Sequence, residues 1–228
     1  MRNIFTLIFL LFFTSIFSQS VDEKIRNIGT NLKYKEKIKH IEGSPYYTDK
    51  FQNGKLILSS GEVKIYDNLN YNAFIDRFEF LDNDNKFIIA NPGIIDTIVH
   101  SGHIFQYKDY TTEEGEQKTG FLILLAEGKC DLYKKEIIEF KPYEQTSGHF
   151  ENKPDRFKAR PPKYFLKKGD SNIKEIDSFR KRKFLRLYFK NNKDEFLEYI
   201  KNNNLRLRKE EDLIEFIEYY NNTVKDNA

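Results

Sequence analysis

The feature that most constrains the fold is a unit repeated between residues 51 and 141, in which a short run of β-branched and aromatic residues ends at a turn signal. The turn signals include Asn53-Gly54, Asn91 to Gly93 and Ser101-Gly102. The runs between the turns are KLILS, EVKIY, RFEFL, KFIIA, IIDTIVH, HIFQYKD, KTGFLILLA and DLYKKEIIEF. Connections this short join antiparallel neighbours, because a parallel crossover needs a dozen or more residues. We therefore predict an antiparallel β-meander.

One of these runs, EVKIY, alternates apolar and polar residues. The alternation predicts a strand with one buried and one solvated face, on which Val63 and Ile65 point to the core. A sheet with one apolar face needs a cover. The sheet could curl on itself as a sandwich or barrel, or C-terminal helices could lie across it, and the sequence leaves both arrangements open.

The pattern of short predicted strands ends at residue 141. Residues 142–162 hold four of the six prolines and no periodic apolar pattern, which is typical of a linker or a long extended loop. The sequence KYFLKKGDSNIKEI then predicts one more hairpin, turning at Gly169-Asp170.

Three helices are predicted after this hairpin, and the predicted fold class is therefore α+β. They cover residues 178–190, 194–202 and 210–221. Ser178 is the expected N-cap of the first helix. A short helix near Val21 is also compatible with the sequence. The predicted organisation is a signal peptide over residues 1–19, a β-meander domain over 20–141, a Pro-containing linker or extended loop over 142–162, and a β-hairpin plus helical region over 163–228.

The first twenty residues, MRNIFTLIFLLFFTSIFSQS, have the pattern of a secretory signal peptide. One positive charge precedes an apolar run that is shorter than the roughly 20 residues of a membrane-spanning helix. We predict cleavage after Ser18, Gln19 or Ser20, export to the periplasm or the extracellular space, and a mature chain that is not an integral membrane protein. The single cysteine, Cys130, cannot form an internal disulfide, although an intermolecular bridge stays open.

The stretch RKRKFLRLYFK, residues 180–190, has an amphipathic helical pattern. Its aromatic side is expected to face inward, which removes the stacking platforms that a single-strand nucleic-acid binder needs. Arg182, Lys183, Arg186 and Lys190 gather on the opposite arc and form a candidate polyanion-binding face.

The charges are unevenly distributed along the chain. Residues 151–210 carry nineteen Lys and Arg against nine Asp and Glu, whereas residues 20–150 carry seventeen against twenty-one. Such asymmetry is typical of a polyanion-binding face, but a merely solvated surface in a lysine-rich chain gives the same pattern. The candidate partners are an anionic envelope polymer or lipid headgroups, and export argues against nucleic acid.

The sequence HSGH is the one candidate metal site. If Ser101-Gly102 is a two-residue turn, His100 and His103 are directly opposed, with Cβ atoms about 4.5–5.5 Å apart. A protein zinc or copper site usually has three or four ligands, and no third ligand can be placed from the sequence. The alternative is a pair of exposed histidines that flank a turn.

Other constellations carry less weight. Cys130 and His149 supply the residue types of a thiol nucleophile and its base, but nothing in the sequence brings them together. Asp76 and Glu79 resemble a carboxylate pair, which any chain with 35 acidic residues contains by chance. No phosphate-binding glycine loop, nucleophile elbow or HExxH helix is present. We expect no catalytic residues and no cofactor.

Three segments carry a resemblance to a known family: EGSPYYTDKFQNGKLIL, NLNYNAFIDRFEF and RKEEDLIEFIEYYNN. Through them the chain resembles a family of uncharacterised exported proteins common in Bacteroidetes. Its members combine a signal peptide, a Gly-Ser-Pro-Tyr segment, a β-meander with a Tyr-Asn strand, and a lysine-rich helical tail. Here the motifs are Gly43 to Tyr46, Tyr71-Asn72 and Tyr219 to Asn221, while Leu69-Asn70 stands where many members carry Leu-Arg. The resemblance implies location and architecture and assigns no activity.

Together these patterns predict an exported, non-enzymatic binding or structural module of the cell envelope. The alternative is an envelope hydrolase or metal-binding protein that uses His100 and His103.

Overall fold

The computed structural model describes residues 41–83, 85–143 and 154–224. Within these ranges the chain forms ten strands, a 3₁₀ turn at Pro92–Ile94 and three α-helices. The strands are β1 Gln52–Leu58, β2 Val63–Asn72, β3 Arg77–Asp82, β4 Asn85–Ile88, β5 Ile95–His100, β6 His103–Thr111, β7 Gln117–Ala126, β8 Cys130–Lys141, β9 Arg156–Lys168 and β10 Ile173–Glu175. The helices are α1 Lys181–Tyr188, α2 Lys193–Asn202 and α3 Glu210–Thr223. The predicted signal peptide and the short helix near Val21 lie outside the described residues.

The strands form one sheet in the order β10-β9-β8-β7-β6-β5-β1-β2-β3-β4. Neighbours in this order pair antiparallel, which confirms the predicted α+β fold with a mostly antiparallel sheet followed by three helices. The exception is a parallel contact in which Ile173 of β10 pairs with Tyr110 of β6. Since β10 pairs with both β9 and β6, strands β6 to β10 close into a ring.

The interior of this ring is a small apolar cluster to which each of its five strands contributes one buried residue. The residues are Tyr110, Leu122, Tyr133, Phe165 and Ile173. A second cluster fills the curled part of the sheet from β1 to β7. Phe78 lies at its centre, with its ring 5.0 Å from those of Phe105 and Phe121. Both predicted ways of covering the sheet are therefore used, because the sheet curls on itself and the helices cover the rest.

A β-bulge inverts the predicted faces of β2. Val63 and Ile65 are 48% and 75% exposed, so the prediction that they face the core was wrong. In the pairing with β1, Gly54 lies opposite Tyr66 but Gln52 lies opposite Leu69, which leaves one extra residue on β2. An extra residue exchanges the two faces of a strand, because side chains alternate with a period of two.

The predicted linker was partly wrong as well, since residues 156–162 belong to β9. The pairing with β8 changes register where Lys135 opposes Lys163 and Ile137 opposes Arg160. Two prolines, Pro161 and Pro162, therefore lie opposite a single β8 residue. A bulge tolerates proline because the missing N–H has no ladder partner there. The next hairpin turns at the predicted Gly169-Asp170.

The helices cover the outer side of β8 and β9, where their aromatic side chains pack against Leu132 and Leu166. The second and third predicted helices are confirmed within two residues. The first begins at Lys181, three residues later than predicted, and the predicted cap was wrong. Ser178 Oγ accepts only the Arg180 N–H, at 3.4 Å, before the helix starts. Among the described residues, no helix has the length and apolar character needed to cross a bilayer.

Candidate functional site

The predicted basic face lies on α1 and the turn that follows it. Arg182, Lys183, Arg186 and Lys190 are all exposed. Lys183 forms an ion pair with Asp177 at 3.4 Å. The basic face is thus a surface of cations on the outer side of the helical cover.

The apolar side of α1 is embedded in the core, as predicted. Phe184, Leu185 and Phe189 are at most 1% exposed. Leu187, predicted on the same apolar arc, is 41% exposed and lies instead among the cations. Because the aromatic rings are buried, they cannot stack on the bases of a nucleic acid.

Contacts around Lys168 hold the end of α1 in place. Its ammonium donates to the Tyr188 carbonyl at 2.9 Å and lies 4.8 Å from the ring centre of Phe189 and 4.9 Å from that of Tyr220. This geometry combines a C-terminal cation with cation–π contacts. It ties α1 to β9 and α3, so the basic face is presented by a fixed element.

The two predicted histidines are opposed across a tight turn. Ser101 and Gly102 have φ angles of 51° and 76°, as a type I′ turn requires, and His100 pairs with His103. The expectation that both are exposed was wrong, because His100 is 1% exposed and packs edge-on against Phe78 at 5.9 Å. Burial lowers the pKa of His100, and His103 nearby lowers it further, while the backbone of Asn53 opposes the shift.

The described part of the chain brings no third metal ligand to these histidines. Within residues 41–83, 85–143 and 154–224, no group of three or more His, Cys, Asp or Glu is arranged to hold a metal ion. The candidate nucleophile Cys130 is fully buried, and burial raises the pKa of its thiol to about 12. Its suggested partner, His149, lies outside the described residues.

Sequence reasoning missed a charged cluster at Asp76, in the turn between β2 and β3. Its Oδ1 accepts hydrogen bonds from the Tyr71 hydroxyl at 2.6 Å and the Phe121 N–H at 3.2 Å. Its Oδ2 lies 2.9 Å from Lys135 Nζ, which also donates to the Phe121 carbonyl at 3.2 Å. Burial lowers the pKa of Lys135, and Asp76 opposes the shift.

The Asp76 cluster lies where the pairing between β7 and β8 ends. The pairing between β7 and β8 runs no further along β8 than Lys134, opposite Ile123. Beyond this point Asp76 and Lys135 take up the N–H and the carbonyl of Phe121 that would otherwise lack partners. At Gly120 a Cβ would lie 2.1 Å from Asp76 Oδ2 and 2.9 Å from Lys135 Nζ, so a larger residue there would displace the pair. The cluster is a structural joint between the sheet and the β2–β3 turn.

A second carboxylate, Glu79, is buried and only 2% exposed. It accepts hydrogen bonds from the Tyr46 hydroxyl at 2.7 Å and from the Asn72 amide at 2.8 Å. Lys86 Nζ lies 3.6 Å from the same carboxylate. Burial, followed by the hydrogen bond to Glu79, strongly raises the pKa of Tyr46. Asp76 and Glu79 therefore belong to separate clusters and do not form the carboxylate pair considered from the sequence.

The Glu79 cluster joins the Gly-Ser-Pro-Tyr segment to the Tyr-Asn end of β2. The Gly-Ser-Pro-Tyr segment lies beside the end of β2, where the Tyr47 N–H donates to the Tyr71 carbonyl at 2.8 Å and the Ala73 N–H to the Pro45 carbonyl at 2.9 Å. Since the segments are about 25 residues apart in sequence, their contact could not be read from local patterns. They form one structural unit around a buried carboxylate.

The fold defines the class of the protein, which is an α+β protein with a curled, partly closed sheet and a C-terminal helical cover. Comparison with known proteins gave no matching family model, no similar curated protein and no similar solved structure.

Proposed function

We propose that the protein is an exported, non-enzymatic binding module of the cell envelope, whose basic face on α1 binds an anionic envelope polymer. The observation that carries the proposal is the division of α1, in which four cations are exposed while the aromatic residues between them are fixed in the core. Export rests on the N-terminal sequence pattern.

The cations of α1 favour the binding of a polyanion because they are held on an ordered helix. A polyanion gains Coulomb energy from every cation that it meets, and it does not have to order a helix that is already held by Lys168 and the aromatic core. Among the described residues, Lys183 is the one cation of the basic face that forms an ion pair, with Asp177, and this contact weakens its attraction for a polyanion. The excess of positive charge between residues 151 and 210 adds a longer-range attraction.

Charge reversal tests the proposal. The double variant Arg182→Glu/Arg186→Glu should bind an immobilised acidic polysaccharide at least about 30-fold more weakly than the wild type, since each surface cation contributes about 1 kcal/mol near an anionic surface and two contribute about 2 kcal/mol. The difference should shrink as salt rises, because salt screens exposed charges. The measurement is a binding titration of the mature protein at two salt concentrations.

A matched control separates the basic face from net charge. Lys50→Glu/Lys55→Glu changes the net charge equally, at two exposed lysines far from α1 in the sequence. This control should keep most of the wild-type affinity. Equal losses in both double variants, or no loss at Arg182 and Arg186, would show that the basic face is merely solvated.

The alternative, an envelope hydrolase or metal-binding protein that uses His100 and His103, gains no specific support from the site. The two histidines are opposed, but one of them is buried among aromatic rings.

A further inference from the structure

A cluster of exposed apolar side chains lies at the far end of the β8–β9 hairpin. Phe74, Ile75 and Phe140 are 40%, 39% and 36% exposed, and Tyr143 is 55% exposed. Together with the half-buried Phe157 they form what we call the hairpin tip. Large apolar side chains that are grouped at the surface mark an interaction site more often than scattered ones do.

The tip is held together by ring contacts between three separate segments. Phe140 of β8 pairs with Phe157 of β9, and their ring centres are 5.6 Å apart. The ring of Phe74, from the β2–β3 turn, lies 5.3 Å from that of Phe157. The Asp76–Lys135 joint is two residues beyond Phe74 and fixes this turn against the sheet. The apolar surface is therefore built on ordered elements.

Cations accompany the apolar residues. Next to Phe140 and Phe157 the hairpin carries four basic residues, with Glu139 and Asp155 as the acidic residues of the same strand ends. The basic residues are Lys141, Arg156, Lys158 and Arg160. Because successive residues of a strand point to opposite faces, these cations lie at the same end of the hairpin as the two phenyl rings but on the opposite face of the sheet. Glu139 forms ion pairs with Lys141 at 2.9 Å and with Arg160 at 3.4 Å.

The chain also enters the described structure at this end. The Glu42 N–H donates to the Asp155 carbonyl, and the Phe157 N–H donates to the Glu42 carbonyl at 2.8 Å. The sequence that leads to this point, residues 33–39, is KYKEKIK, with four lysines and one glutamate. The sequence shortly before the first described residue is therefore rich in positive charge.

We propose that the hairpin tip docks on an anionic lipid bilayer, with its Phe and Ile side chains in the interfacial layer and its Lys and Arg side chains at the headgroup phosphates. This combination of apolar side chains and neighbouring cations is what interfacial binding uses, since apolar burial and attraction to anionic lipids add. A hydrophilic anionic polymer would leave Phe74, Ile75 and Phe140 in water, so the charge and the apolar surface together favour a lipid phase.

This inference does not rest on the proposed function of α1. The helices pack near Leu132 and Leu166, whereas the tip lies at Phe140 and Phe157, about 25 Å further along β8 at about 3.3 Å per residue. Variants at one end leave the other end intact, so failure of one proposal is distinguishable from failure of the other.

A single tryptophan provides the test, because the chain contains none. Vesicles of phosphatidylglycerol and phosphatidylethanolamine are added to the mature protein that carries Phe140→Trp. The fluorescence emission of this tryptophan should shift to shorter wavelength, and quenchers carried on the lipid tails should reduce it. The matched control is Ile65→Trp, at an exposed apolar position on β2 that is 75% exposed. This control should show neither change. An unchanged emission from Phe140→Trp would overturn the proposal.

Vesicle flotation of unlabelled protein provides the second measurement. Phe74→Ser/Phe140→Ser should reduce binding at least tenfold, while Val63→Ser/Ile65→Ser should change it less than twofold, and neutral phosphatidylcholine vesicles should bind the wild type weakly. Loss of binding in both double variants, or in neither, would contradict the docking surface. A third result would also contradict the docking surface: the wild type is a dimer, and Phe74→Ser/Phe140→Ser converts it to a monomer without changing flotation. The hairpin tip would then be a contact between two copies of the protein.

Discussion

At the scale of single residues, the two partly buried charges at Asp76 and Lys135 carry the most specific structural role. They replace the ladder bonds that Phe121 loses where β7 and β8 diverge. Their side chains are 23% and 14% exposed, so water screens the pair only in part. Removing one partner leaves a charge that is poorly solvated and unpaired, and this costs more than removing both.

A double-mutant cycle tests this role. Lys135→Met alone should destabilise the fold on the order of 3 kcal/mol, because it leaves the Asp76 carboxylate unpaired. Asp76→Asn alone should also destabilise it, although the amide oxygen can still accept from Tyr71 and Phe121. The double variant should lose clearly less free energy of unfolding than the two single variants lose together, as measured by urea unfolding. Additive costs would show that the two charges do not interact.

Cys130 provides a second test at this scale. Burial raises the pKa of its thiol to about 12, so roughly one molecule in 10⁴ carries the reactive thiolate at pH 8. The folded protein should therefore react with an aromatic disulfide reagent far more slowly than the urea-unfolded chain, as followed by the absorbance of the released thiolate. Rapid labelling of the folded protein would contradict the burial of Cys130 beneath α3.

At the scale of the elements, local patterns predicted the strands well and their faces less well. Every strand from β1 to β8 falls on a predicted run, because turn residues and β-branched residues act locally. The β2 bulge depends on the register with β1, which no local pattern of β2 contains. Val63 and Ile65 consequently lie on the outer face.

The start of α1 also could not be predicted from the local sequence. Ser178 is a good local N-cap, but tertiary contacts hold the preceding segment extended. The Asp177 N–H donates to the Tyr188 hydroxyl at 3.0 Å, and that hydroxyl donates to the Asp177 carboxylate at 2.8 Å. These bonds keep Asp177 outside the helix, which then begins at Lys181.

In the candidate site too, local patterns predicted some features, whereas others depend on tertiary contacts. The exposed cations of α1 and the opposition of His100 and His103 follow from helical spacing and from turn geometry, and both were predicted. The burial of His100 beneath Phe78 depends on the curl of the whole sheet. The Asp76 and Glu79 clusters depend on contacts between segments distant in sequence, so single-sequence reasoning gave these carboxylates no role.

At the scale of the whole molecule, the fold separates two charged surfaces. Closure of the β6–β10 ring by Ile173 and Tyr110 anchors the β9–β10 hairpin and, through it, the helical cover. The β8–β9 hairpin then runs from the helices at one end to the aromatic tip at the other. If both proposals hold, the protein docks on a membrane by its tip and presents the basic face of α1 away from that membrane.

The proposed function in the cell envelope requires export, which can be tested by measuring the intact mass and subcellular fraction of the protein in its native host. We expect a chain shortened by about 18–20 residues, in agreement with the signal-peptide pattern, and recovered outside the cytoplasm. Envelope polymers and lipids are then its accessible ligands. A full-length chain recovered from the cytoplasm would contradict both export and the proposed envelope partners.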